Sequence, residues 1–197
     1  MESNGDIGRR SAAIGRLREV SSRPYLFDQT GEFIDYWFSL PKKGLTPEKA
    51  RIDPRGMLRL LPWAIMLEQN AASAGYRIRL FGTGNMSRWG FEATNANLLN
   101  FTPPQQQSTL ARCFSSISQR PCGAILSGDE LYTSGRVARV EMTLFPIRTD
   151  DTQTSILFGL IATDTGTVID YGADLLASVF YTISKIHYVN IGAGIPD

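Results

Sequence analysis

The sequence predicts an α+β domain in which helices cover one face of an antiparallel sheet. Three observations predict it. Two short strand patterns come early, over residues 63–68 and 76–82. Three longer ones come late, over 123–132, 136–148 and 155–163, joined by turn-sized connections such as Thr133-Ser134-Gly135. Between the two groups the pattern is helical, so strands of each group pair as neighbours and the helices bury their apolar stripes on the sheet.

Each element rests on local chemistry. Over 7–20, Ile14, Leu17 and Val20 keep a helical repeat while Arg9, Arg16 and Arg18 face water, and Pro24 stops that helix. A helix over 32–40 places Phe33, Ile34, Trp37 and Leu40 on one stripe, too apolar to stay in water. Asp53-Pro54 opens a third helix, because the carboxylate accepts orphan amide bonds and proline has no amide to lose; Pro62 ends it. Tyr76, Ile78 and Leu80 then alternate with Arg77, Arg79 and Phe81, after a small polar connection suited to a hairpin. Residues 82–99 are irregular, with helical pieces at 85–89 and 95–99. A longer helix over 103–119 carries Leu110, Phe114 and Ile117, with Thr102 and Gln105 at capping-box spacing and Pro121 closing it. Residues 172–186 read as a C-terminal amphipathic helix bearing Leu175, Leu176, Val179, Phe180 and Ile183.

The chain has 197 residues, which suits one domain with extensions: 1–31, a core over 32–163, and 164–197. Hydrophobic residues at 43% and charged residues at 20% allow an ordinary core. A net charge of +1 gives no ground for nucleic-acid binding. Charge is nonetheless uneven. Lys42, Lys43, Lys49, Arg51, Arg55 and Arg59 make the early part basic, and Asp150, Asp151, Asp164, Asp170, Asp174 and Asp197 make the late part acidic. Such a split lets chain ends or subunits attract one another. Arg9-Arg10 is not followed by a hydrophobic export core, and no apolar stretch is long enough to cross a bilayer, so a cytoplasmic setting is expected.

Tyr36-Trp37, Ile52-Asp53-Pro54, Leu61-Pro62, the run from Arg79 to Thr83, Gly90 and the last strand with Gly159 occur in an order that resembles a PAS-domain family of stand-alone bacterial regulators. The resemblance spans about residues 32–162. It implies a five-stranded antiparallel sheet, made of the first two and last three strands, with helices on one face cupping a small cavity; N- and C-terminal helices would be accessory. It also implies a sensing or interaction module rather than a catalyst.

The residues set limits on chemistry. A histidine-ligated haem is not expected, since the only histidine, His187, lies outside the core region. The segment Gly84-Asn85-Met86-Ser87-Arg88-Trp89-Gly90 lacks the cysteine of photochemical flavin domains, so no cofactor is assigned. Cys113 and Cys122 have neither CxxC spacing nor a disulfide framework, and no metal is assigned. Gly82-Thr83-Gly84 lacks the lysine of a phosphate loop and reads as glycines letting a strand turn into a helix. Arg139 and Glu141 alternate with Val140 and Met142, which places the charged pair on the outer sheet face as a solvated or helix-covered salt bridge. No nucleophile and base pattern is present, and the chain is expected not to be an enzyme. Tyr76, Ile78, Trp89, Phe114, Val140, Met142 and Leu144 are the expected ligand-contacting residues, with Tyr76 and Trp89 supplying polar contacts.

The function expected is therefore a PAS-like sensory or protein-interaction module, acting through a signalling partner or a change of oligomeric state. A homodimer and a small-molecule ligand are the partners expected, with no nucleic acid and no membrane. Two competing readings remain. One is a cone-shaped α+β enzyme similar to ketosteroid isomerases, which would bury Glu141 or Glu68 beside a polar pocket. The other is a structural dimerisation adaptor with a filled core.

Overall fold

The computed structural model describes residues 23–70, 75–151, 154–164 and 174–196. The helix expected over 7–20, with Ile14, Leu17 and Val20, lies outside the described residues. Six strands, β1 (Ala64–Asn70), β2 (Arg77–Phe81), β3 (Cys122–Tyr132), β4 (Val137–Ile147), β5 (Thr154–Thr163) and β6 (Leu176–Asn190), form one sheet in the order β2-β1-β5-β4-β3-β6. All neighbouring pairs are antiparallel. The pairing of β1 with β5, from Ala64 opposite Leu160 to Asn70 opposite Thr154, joins the early and late strand groups into one sheet, as expected. The helices are α1 (Asp28–Ser39), α2 (Thr83–Trp89) and α3 (Pro104–Gln119).

The C-terminal helix expected over 172–186 is instead β6, which extends the five expected strands to six. The reason lies in its irregularity. Phe180 takes φ 49°, and pairing with β3 shifts register at three places along the strand. Val179 and Phe180, adjacent in sequence, are both fully buried, which imitates a helical stripe. Val179, Thr182, Ile183, Ile186 and Val189 are β-branched and favour the strand that forms.

Apolar side chains cover both faces of the sheet. On one face α2 and α3 pack over Ile65, Leu67, Ile78, Leu126, Val140, Met142 and Ile161. On the other, α1 packs over Met66, Phe145, Ile156, Phe158 and Leu160. Thus the expectation of helices on one face holds for α2 and α3, while α1 takes the opposite face. Phe33, Trp37 and Leu40 of the α1 stripe cover this chain's own sheet: Trp37 stacks on Phe145 with centroids 4.6 Å apart, and Phe33 meets Phe158 edge-on at 5.3 Å. Lys42 closes the helix by donating from Nζ to the carbonyls of Trp37, Phe38 and Leu40.

Three local expectations change form. The third helix is a pair of 3-10 turns, Pro54–Met57 and Leu61–Trp63, each with a proline in its first turn, where no amide is needed. Asp53 does cap the first turn, accepting from the Arg55 amide at 3.0 Å. Leu80 does not share a face with Tyr76 and Ile78. Arg79 is an extra residue opposite the Met66/Leu67 junction, so Phe81 joins the buried side and Leu80 turns outward. The capping box is absent: Pro103 is the N-cap of α3, and Gln107 Nε2 instead donates to the carbonyls of Leu99 and Thr102.

Candidate functional site

The alternation of β4 organises the interior. Val140, Met142 and Leu144 face α2 and α3, while Glu141, Thr143 and Phe145 face α1. β2 adds Tyr76 and Ile78 to the first side, α2 adds Trp89 and α3 adds Phe114. All seven expected ligand-contacting residues therefore lie in one cluster, and each is buried. Tyr76 meets Phe114 edge-on at 4.8 Å and donates its hydroxyl to the Ala111 carbonyl at 3.3 Å. Trp89 packs against Phe81 at 4.7 Å and donates its indole N–H to Glu130 Oε1 at 3.2 Å. The polar atoms expected to meet a ligand thus have partners within the fold.

Beside Trp89 stands a buried polar network that the sequence reading missed. Arg88 Nη1 forms an ion pair with Glu130 Oε2, and both side chains are almost wholly excluded from solvent. Tyr132 donates its hydroxyl to the same oxygen at 3.0 Å. Asn85, one turn before Arg88, accepts from Nη2 at 3.4 Å and donates to the Trp63 and Ala64 carbonyls. Among the described residues Arg88 Nε has no hydrogen-bond partner. Burial, and then the charge of Glu130, push the Tyr132 hydroxyl up to about 12, so it remains a donor near neutral pH. The Arg136 guanidinium lies 3.7 Å over the Tyr132 ring and its Nε donates to Asp174 at 3.0 Å. One signal was present in the sequence: Glu130 and Tyr132 share the phase of Ala124 and Leu126, so an acid stood on an apolar face.

Glu141 is the second buried carboxylate, on the α1 side of the sheet. Its expected partner, Arg139, is exposed on the surface. Among the described residues its donors are the Leu26 and Phe27 amides and the Thr30 and Ser127 hydroxyls. Glu68 pairs with Arg77 and, at 3.2 Å, with Arg79 Nε. Glu141 is thus buried, as the isomerase-like reading asks of Glu141 or Glu68, but neither acid lies on the side that holds Tyr76 and Trp89.

Other groups fall into structural roles. A Cβ at Gly82 would come within 2.3 Å of the Pro62 carbonyl oxygen, and one at Gly84 within 2.9 Å, so these glycines allow α2 to sit against the Leu61–Trp63 turn. His187 pairs across β6 with Ile125, out of phase with Ile186 and Tyr188, which pack on the interior cluster. Burial pushes the Cys113 thiol up to about 12, so it is not a ready nucleophile. Among the described residues no group of His, Cys, Asp and Glu is placed to hold a metal ion, and no helix is long and apolar enough to cross a membrane.

A family model described as PAS domain matches residues 27–162. A solved structure of an RNA-binding Light-Oxygen-Voltage receptor is similar at 14% identity and a TM-score of 0.41; the match covers 63% of this chain and 37% of the receptor chain. No curated protein matches the chain.

Proposed function

The chain belongs to the PAS-domain family, and from that premise we propose that it is a non-catalytic sensory or protein-interaction module of bacterial signalling in the cytoplasm. It acts through a partner protein or a change of oligomeric state, with a homodimer as the working assembly. Tyr76, Ile78, Trp89, Phe114, Val140, Met142 and Leu144 form the surface that a small apolar ligand meets when the interior opens.

The observation that carries this reading is the position of β4. One face of a single central strand lines the aromatic interior and the other supports α1. A change on one side therefore has a short mechanical route to a surface helix. The engagement of Glu130 and Glu141 by internal donors supports the non-catalytic part, since both carboxylates are buried and bonded within the fold.

Native mass spectrometry of the purified chain and of Met142→Trp tests the proposal. A dimer, or a retained small molecule that the bulky substitution expels, is expected. A ligand-free monomer that binds no partner would overturn it.

A further inference from the structure

Val140, Glu141 and Met142 are consecutive, fully buried, and divided between the two faces of the sheet. Glu141 Oε1 accepts from the Leu26 amide at 2.9 Å and the Ser127 hydroxyl at 3.1 Å. Its Oε2 accepts from the Thr30 hydroxyl at 2.6 Å and from the Leu26 and Phe27 amides at 3.2 and 3.5 Å. Phe27 is the N-cap of α1 and has no side-chain cap of its own. A carboxylate reaching up from the sheet thus holds the Phe27 N-cap amide, as the glutamate of a capping box does from within its own helix, together with the preceding Leu26 amide, and its charge suits the positive end of the helix.

We propose that Glu141 is a latch coupling the α2 and α3 side of the interior to the start of α1; the inference rests on the sensory reading above and names its internal route. The physical basis is the rigidity of a strand. A displacement of the strand backbone at Val140 and Met142 carries Glu141 with it. Hydrogen bonds weaken steeply with distance and angle, and a buried carboxylate that loses donors is strongly penalised. The donors therefore release together. When they do, α1 loses its N-terminal anchor, and the outward residues Glu32, Asp35 and Phe38 are presented differently to a partner.

Amide hydrogen exchange resolved by residue in the full chain tests the latch without any ligand or partner. Glu141→Gln places an amide among donors, and Thr30→Val removes one donor while keeping the side-chain shape. Each should speed exchange at Leu26, Phe27 and the first turn of α1 by roughly tenfold, the loss of about one buried hydrogen bond, while β1 to β5 keep their protection. Met142→Ala should speed the same amides in the otherwise native chain and add nothing when Glu141→Gln is present. Unchanged exchange in both latch variants, or a Met142→Ala effect of equal size with and without Glu141, would overturn the proposal. Retained ligand and subunit number are read by a different experiment, so failure of the sensory reading and failure of the latch are distinguishable.

Discussion

Arg88 and Glu130 form a buried ion pair that is costly to break on one side. Both are buried, so removing the arginine leaves a charge without compensation. Arg88→Met should lower stability by about 3–5 kcal/mol, measured by urea unfolding. The joint replacement Arg88→Met with Glu130→Leu should recover much of that loss, because the lone charge is gone. Tyr132 adds a dependence on alkali. Its hydroxyl has an ordinary value of 10.0 and is pushed up to about 12 in the fold, so the folded state holds that proton more tightly. The resulting stability is complete below pH 10 and is lost as pH rises through 12. Cys113 acts in the same sense from an ordinary 9.0 up to about 12. Stability should therefore fall with pH above about 9, and Tyr132→Phe should flatten the part of a denaturant-midpoint profile between 10 and 12. At this scale the sequence was only partly readable. Phase alone placed Glu141 on the outer face, but its amide donors lie 114 and 115 residues away, beyond any local pattern.

The elements most readable in sequence were those with an undisturbed period. The β4 and β5 boundaries, and α3 with Leu110, Phe114 and Ile117, follow directly from alternation and helical spacing. Bulges defeated the same logic. One extra residue at Arg79 exchanged the roles of Leu80 and Phe81, and the irregular pairing of β6 made a strand look helical. The central strands also show where close approach fixes a residue. A Cβ at Gly159 would stand 1.9 Å from the Thr143 carbonyl oxygen, a backbone atom unable to step aside without breaking the β4–β5 ladder. Gly159→Ala should destabilise by about 1–3 kcal/mol or more. A thermal melt of the variant checks this, and an unchanged midpoint would show that the two strands are not paired as described.

For the whole molecule, the outcome for the α1 stripe bears on assembly. Phe33, Trp37 and Leu40 are used within the chain, so they do not supply a dimer surface. Ile14, Leu17 and Val20 of the N-terminal segment remain as the second apolar stripe expected to supply one. Sedimentation of the full chain at micromolar concentration should show a dimer, and removal of residues 1–24 should yield a monomer. A full chain that sediments as a monomer would count against the assembly proposed above.

The two margins of the sheet differ in what they can accept. Residues 95–98 run along the free side of β2: the Ile78 amide donates to the Ala96 carbonyl, the Asn95 amide to the Ile78 carbonyl and the Leu98 amide to the Tyr76 carbonyl. At Tyr76 and Ile78 that margin is therefore covered by the chain's own backbone and offers fewer free donors and acceptors to another strand. At the opposite margin, no strand among the described residues pairs with the outer side of β6. Two copies meeting at this margin about a twofold axis would each use the outer side of β6 and leave it covered. Filament growth by sheet extension needs two competent margins. The short run over 95–98 therefore shields part of one margin with the chain's own backbone, one of the ways natural sheets blunt an edge.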